Sequence, residues 1–94
     1  MYAVFTVVTV DESARDPNHT VLSQQIVPAV KGTPGVVGGY WLEPAGDKGT
    51  SIVLFESEQA ARQAAEAMGV KVGASPAPGV VFDSVEIAEV IEHF

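Results

Sequence analysis

The chain opens on an uncharged run, Tyr2 to Val10, built almost wholly from valine, threonine and aromatic residues. That composition suits a pleated strand. Tyr2, Val4, Thr6, Val8 and Val10 share one face, and Ala3, Phe5, Val7 and Thr9 share the other. Both faces are largely apolar. A strand with one wet face alternates more cleanly, so the pattern predicts a strand covered on both sides. After polar Asp11 to Asp16 the period changes to helical. Asp16 is placed to cap a helix with Pro17 at its first position, and Leu22, Ile26, Ala29 and Val30 form the inward stripe. Pro28 lacks the amide that would bond Gln24, which predicts a bend or an early end there. Lys31-Gly32 with Pro34 beyond is a stop signal.

Val36 to Glu43 reads as a second strand and Ser51 to Glu56 as a third, joined into a hairpin through the turn from Pro44 to Gly49. Ser57 can cap a second helix, Glu58 to about Met68. The position three residues on is Ala60, so no capping box forms. Ala61, Ala64, Ala65 and Met68 make its inward stripe, and their small side chains let the helix lie close to a sheet. Gly69 to Gly79 is rich in breakers and reads as an irregular connection. Val80 to about Glu92 is the last strand, with Val85, Ile87, Glu89 and Ile91 on one face. The order β-α-β-β-α-β predicts a ferredoxin-like α+β domain around a four-stranded antiparallel sheet. Two helices cover one face of such a sheet. The other apolar face is expected to meet its own copy, giving a homodimer whose sheets pack into a barrel.

Composition supports a partner chain. At 94 residues and 47% hydrophobic, residues 1–94 make a single domain. A monomer of that size buries only about 60–65% of its unfolded surface. With no cysteine, disulfides and thiolate metal sites are excluded. The net charge of −7 repels phosphate backbones and anionic lipid, which argues against nucleic acid and membrane as partners. No apolar stretch approaches ~20 residues, and the start lacks the pattern of a secretory signal, so the expected location is the cytoplasm.

Candidate chemistry centres on Gly38-Gly39-Tyr40-Trp41. Tyr40 and Trp41 point to opposite faces of their strand, one toward the helices and one toward the dimer face. Trp41 either walls a site for a flat aromatic ligand or fills the core. Gly39, two residues earlier on the same face, either leaves the gap for that ligand or accommodates the ring. His19 could serve as an acid-base group, with Asn18 beside it as a hydrogen-bond donor, or both sit in a solvated first turn. His93 lies near the C-terminal end and carries less. Glu89, on an otherwise apolar face, needs a partner such as Arg62, or serves as an edge residue that discourages strand pairing. Two histidines without helical pairing make no metal constellation. No nucleophile elbow and no phosphate-binding glycine loop are present.

Pro34-Gly35, Gly38, Leu42 and Pro44, followed by Phe55-Glu56-Ser57 leading into an alanine-rich helix, resemble the antibiotic-biosynthesis-monooxygenase-like family of dimeric α+β barrels. The likeness is best from Pro28 to Met68. It implies a homodimer with a small apolar pocket in each subunit. Members of that family include cofactor-independent monooxygenases that act on polycyclic phenols and quinols, and others that degrade haem. On that reading His19, Asn18 and Tyr40 are the catalytic candidates, and Trp41, Gly39, Phe5 and Phe55 line the substrate, with no cofactor and no metal. The alternative is a non-catalytic dimer that binds a small apolar ligand or serves structure alone. The haem-degrading branch of the family uses an asparagine on the first strand and a tryptophan and histidine on or near the second helix. This chain has none of the three at those places, so the resemblance disfavours haem degradation.

Overall fold

The computed structural model describes residues 1–15 and 20–94. Strand β1 spans Tyr2–Val10 and ends in a short 3-10 turn, Glu12–Ala14, which the Asp11 carboxylate caps by accepting from the Ser13 amide. Helix α1 is π-wound over Leu22–Ile26 and α-helical over Val27–Lys31. Strands β2 (Val36–Ala45) and β3 (Lys48–Phe55) form a hairpin. Helix α2 (Glu58–Ala67) follows, then strand β4 (Val80–Glu89). The strands are ordered β2-β3-β1-β4, and each neighbouring pair is antiparallel. This is the ferredoxin-like α+β arrangement.

Several boundaries differ from the sequence reading. The hairpin turn is only Gly46-Asp47, because β2 runs through Pro44 to Ala45 and β3 begins at Lys48. Gly46 takes φ 64°, which a tight hairpin demands of its first turn residue. Helix α1 does not end at Pro28. A π turn widens the helix just ahead of it, the Val27 amide reaching back to the Leu22 carbonyl, so the proline starts an α-helical turn that needs no donor there. The Asp16-Pro17 cap lies outside the described residues. For α2, the Ser57 hydroxyl accepts from the Ala60 amide at 3.1 Å, as expected of that cap.

The core lies on one face of the sheet. Val4, Val53 and Phe55 from the strands meet Val30 of α1 and Ala61 and Ala64 of α2, with Tyr2, Ile26, Val36, Trp41, Val85 and Ile87 packed around them. Thr6 is buried on the same face and shares a 2.5 Å hydrogen bond with Ser51, which satisfies both hydroxyls. Gly35 shows why a proline-glycine pair stands before β2. Its φ is 77°, and a Cβ there would lie 2.8 Å from the Ala60 Cβ, so only glycine lets α2 approach.

The opposite face carries Phe5, Val7, Ile52 and Leu54, half-buried, and the exposed Tyr40, Leu42 and Val81. No described helix covers it. At one rim Lys48 Nζ lies 2.9 Å from Asp83 Oδ2 and 2.7 Å from the Thr9 hydroxyl, which itself donates to Asp83 at 2.6 Å.

Candidate functional site

Strand alternation decides which way the aromatic pair points. Gly39 pairs with Val53 and Trp41 with Ser51, so both lie on the helix-covered face, whereas Tyr40 pairs with Ile52 on the open face. The Trp41 ring folds back along its own strand. A Cβ on Gly39 would lie 3.0 and 3.1 Å from two carbons of that ring. The gap above Gly39 is thus filled by Trp41 itself, and Gly39 accommodates the ring. The ring is half-buried, with its inner part against the core cluster.

Beside that ring is a cavity of about 200 Å³ between α1 and β2. Val27, Val30 and Lys31 of the helix form one wall. Val36 to Gly39 and Trp41 form the other. A bulge in β2 makes the second wall. Between Val36, opposite Phe55, and Gly38, opposite Leu54, the register slips by one residue, which pushes Val37 out as the extra position. Val37 is 55% exposed and stands at the rim. Among the described residues the lining is aliphatic and aromatic, with one charged side chain, Lys31. Such a site holds a flat apolar ring by dispersion and exclusion of water. Its volume lies below the ~300–1,000 Å³ of drug-sized ligand sites, which suits a small fused ring or one edge of a larger system.

The other expected site residues do not converge on this cavity. Phe5 is on the open face of β1, and Tyr40, 63% exposed, is on the open face of β2. Phe55 is 3% exposed and belongs to the core. Neither Phe5, Phe55 nor Tyr40 lines the space beside Trp41, because the pleat and the core claim them first. His19 and Asn18 lie outside the described residues. Glu89 faces Tyr2 across the β1–β4 ladder, while Arg62 pairs with Glu58 at 2.9 Å. The Glu89 charge, with burial and Glu58 adding to it, raises the Tyr2 phenol above its ordinary value. Sequence pattern missed Lys31 and Val37 as site residues. Lys31 reads there as a helix stop, and a bulge leaves no periodic signal.

Among the described residues no cluster of three or more histidines, cysteines or carboxylates stands close enough to hold a metal. Among the described residues that line the cavity there is no histidine. No described helix is long and apolar enough to cross a membrane.

Among solved structures the chain is similar to a point mutant of MhuD, crystallised with two manganese protoporphyrin IX molecules bound per active site. The match has a TM-score of 0.72 and covers 100% of this chain and 98% of that one. The fold matches that of MhuD. Identity is 20%, so the likeness speaks for the fold alone. No described protein family and no curated protein matches the chain. The likeness to MhuD corrects one expectation. Haem chemistry was set aside because three residues of the haem-degrading branch are missing. A chain of this fold, superposable along its whole length, holds metalloporphyrin in its active site. The expectation that haem degradation is disfavoured does not stand against a neighbour of the same fold that holds a metalloporphyrin.

Proposed function

We propose that this protein binds a flat, hydrophobic aromatic ligand against Trp41, in the space between α1 and β2, and promotes its oxidation by dioxygen. The observation that carries the reading is the apolar cavity beside the half-buried tryptophan ring. The MhuD likeness supports the monooxygenase-like side of it at the level of fold. The ligand class spans quinols, polyphenols and porphyrins, which share a planar π surface. The cavity's role is to orient that surface and to keep water away from it.

A second reading, binding without turnover, is favoured by the lining. Among the described residues that wall the cavity, Lys31 is the only titratable side chain. One experiment separates the two. Trp41 is the sole tryptophan, so its fluorescence reports occupancy directly. Titration with a naphthoquinol, a polycyclic phenol and haemin should quench it saturably, and an oxygen electrode run on the same mixtures reads turnover. Quenching with oxygen uptake supports the oxygenase, and quenching alone supports the binder. No quenching by any of the three overturns both.

The protein would act as a homodimer joined through the open sheet face. That face carries Phe5, Val7, Ile52 and Leu54 with no helix to cover them.

A further inference from the structure

The chain has five basic residues against twelve acidic ones, so the places where cations stand are few. Most of them are spoken for. Arg62 pairs with Glu58, Lys48 with Asp83, and Arg15 donates to the Gly46 carbonyl. Lys71 stands exposed in the connection after α2. Lys31 differs from all of these. It lies in the last turn of α1, exposed, on the wall of the cavity, and among the described residues no carboxylate pairs with it.

The helix end does not need Lys31 for its carbonyls either. The Gly32 amide serves Pro28 and Ala29, and the Thr33 hydroxyl and amide both serve Val30, at 2.7 and 3.0 Å. The ammonium is therefore left over from local structure. Among the described lining residues it is also the one ionic group, beside a surface otherwise made of valines, glycines and the Trp41 ring.

We infer that Lys31 selects anionic members of the ligand class: planar ring systems that carry a carboxylate at one edge. This rests on the ring-binding reading given above and narrows it. The reason is solvation. A carboxylate pushed among Val30, Val36 and Trp41 would lose its water without replacement, which is strongly unfavourable. At the mouth it keeps part of its hydration and meets the ammonium. The ring then enters and the acid stays outside, so one charge fixes the direction of entry. The chain's overall charge of −7 disfavours anions over most of the rest of the surface, which gives weight to an ammonium placed beside the apolar cavity.

The test uses isosteric pairs that differ in charge. 2-Naphthoate and 2-naphthamide are titrated against Trp41 fluorescence in the wild type, in Lys31→Met and in Lys31→Glu. The naphthoate is expected to bind about 5-fold more tightly than the amide, the scale of a solvent-exposed ion pair. Lys31→Met should erase that preference and leave the amide unchanged. Lys31→Glu should reverse it, and Lys71→Met should leave it intact. Protoporphyrin IX and its dimethyl ester form a second pair, which tells a porphyrin acid from a small aromatic acid.

A charge preference in either pair that Lys31→Met abolishes supports the inference. Equal binding of acid and amide to the wild type, or a Lys31→Met variant that weakens both alike, overturns it and leaves the ring site standing. If no probe of either pair quenches Trp41, the ring site itself fails, and the inference with it. Lys31 is exposed, so both variants are expected to keep the wild-type circular dichroism.

Discussion

Gly35 and Gly39 each stand where an added Cβ would press on a neighbour. Gly35 combines a φ of 77° with a Cβ position 2.8 Å from Ala60, so Gly35→Ala meets both backbone and steric resistance. We expect a loss of about 2–4 kcal/mol in denaturant unfolding. Gly39→Ala acts differently, since only the Trp41 ring opposes it, at 3.0 Å. The ring must swing away. The expected loss is about 1–3 kcal/mol, accompanied by a shift in tryptophan emission. An unshifted spectrum would mean that the ring does not rest on Gly39. Both glycines were visible in the sequence as punctuation around β2. What sequence could not supply was the reason, because each reason is a contact, one with a helix met twenty-five residues later and one with a ring folded back along its own strand.

At the same scale the Lys48–Asp83–Thr9 cluster sets a pH dependence. The Thr9 hydroxyl first, and then the Lys48 ammonium, hold the Asp83 carboxyl below its ordinary value. The Asp83 bond raises Lys48 in turn. A carboxyl lowered on folding stabilises the fold above its unfolded value of about 3.9, and the contribution is lost as pH falls through the lowered one. A raised lysine stabilises below its unfolded value of about 10.4 and is lost as pH rises beyond it. Asp83→Asn should therefore flatten the acid side of the profile of urea midpoint against pH, and change the alkaline side as Lys48 loses its partner. A profile parallel to the wild type below pH ~4 would remove the cluster from any part in acid stability.

At the scale of elements, legibility followed how local the cause was. Helix α2 was readable because its cap, its alanine stripe and its glycine end all lie within the segment. Ser57→Ala should cost about 1 kcal/mol through the Ala60 amide it leaves open, measurable as a lowered urea midpoint at constant slope. Helix α1 was half readable. Its end at Lys31 stands as the pattern implied, and Leu22, Ile26 and Val30 turn inward, but Ala29 is exposed and Val27 is half-buried instead, because the π turn over Leu22–Ile26 breaks the 3.6 period and hides how Pro28 is tolerated. The strands were legible in type and order. The errors fell at the hairpin, where Pro44 stays in β2 at a bulge between Leu42 and Ala45 rather than in the turn, and at the end of β4, which stops at Glu89 and leaves Ile91 outside the strand. The candidate site was the least legible part. The period-2 pattern separates Trp41 from Tyr40 but leaves open which of them faces the helices, and the cavity beside Trp41 is made by a bulge and by the end of a helix, neither of which leaves a motif.

For the whole molecule the question is what covers the second face of the sheet. The buried core formed by Val4, Val30, Val53, Phe55, Ala61 and Ala64 contains small side chains for a chain of this length. Small domains of this kind are marginal by themselves. Meanwhile Tyr40 and Leu42 are 63% and 54% exposed on a face that also carries Phe5, Val7, Ile52 and Leu54. A second copy would bring the same apolar surface, so a two-fold contact would be self-complementary, with the Lys48–Asp83 pair and Glu86, opposite Phe5, as its charged groups toward β4. Leu42 is the position at which to test this, because its exposure means that a monomer has little packing to lose there. Leu42→Glu places a charge on each side of the contact, where two like charges and two desolvation penalties oppose association together. The wild type should sediment as a dimer at micromolar concentration. Leu42→Glu should sediment as a monomer with unchanged circular dichroism and a lower unfolding midpoint, since the stabilisation lost is that of the interface. A wild type that sediments as a monomer would sink the barrel arrangement and leave the open face to some other partner.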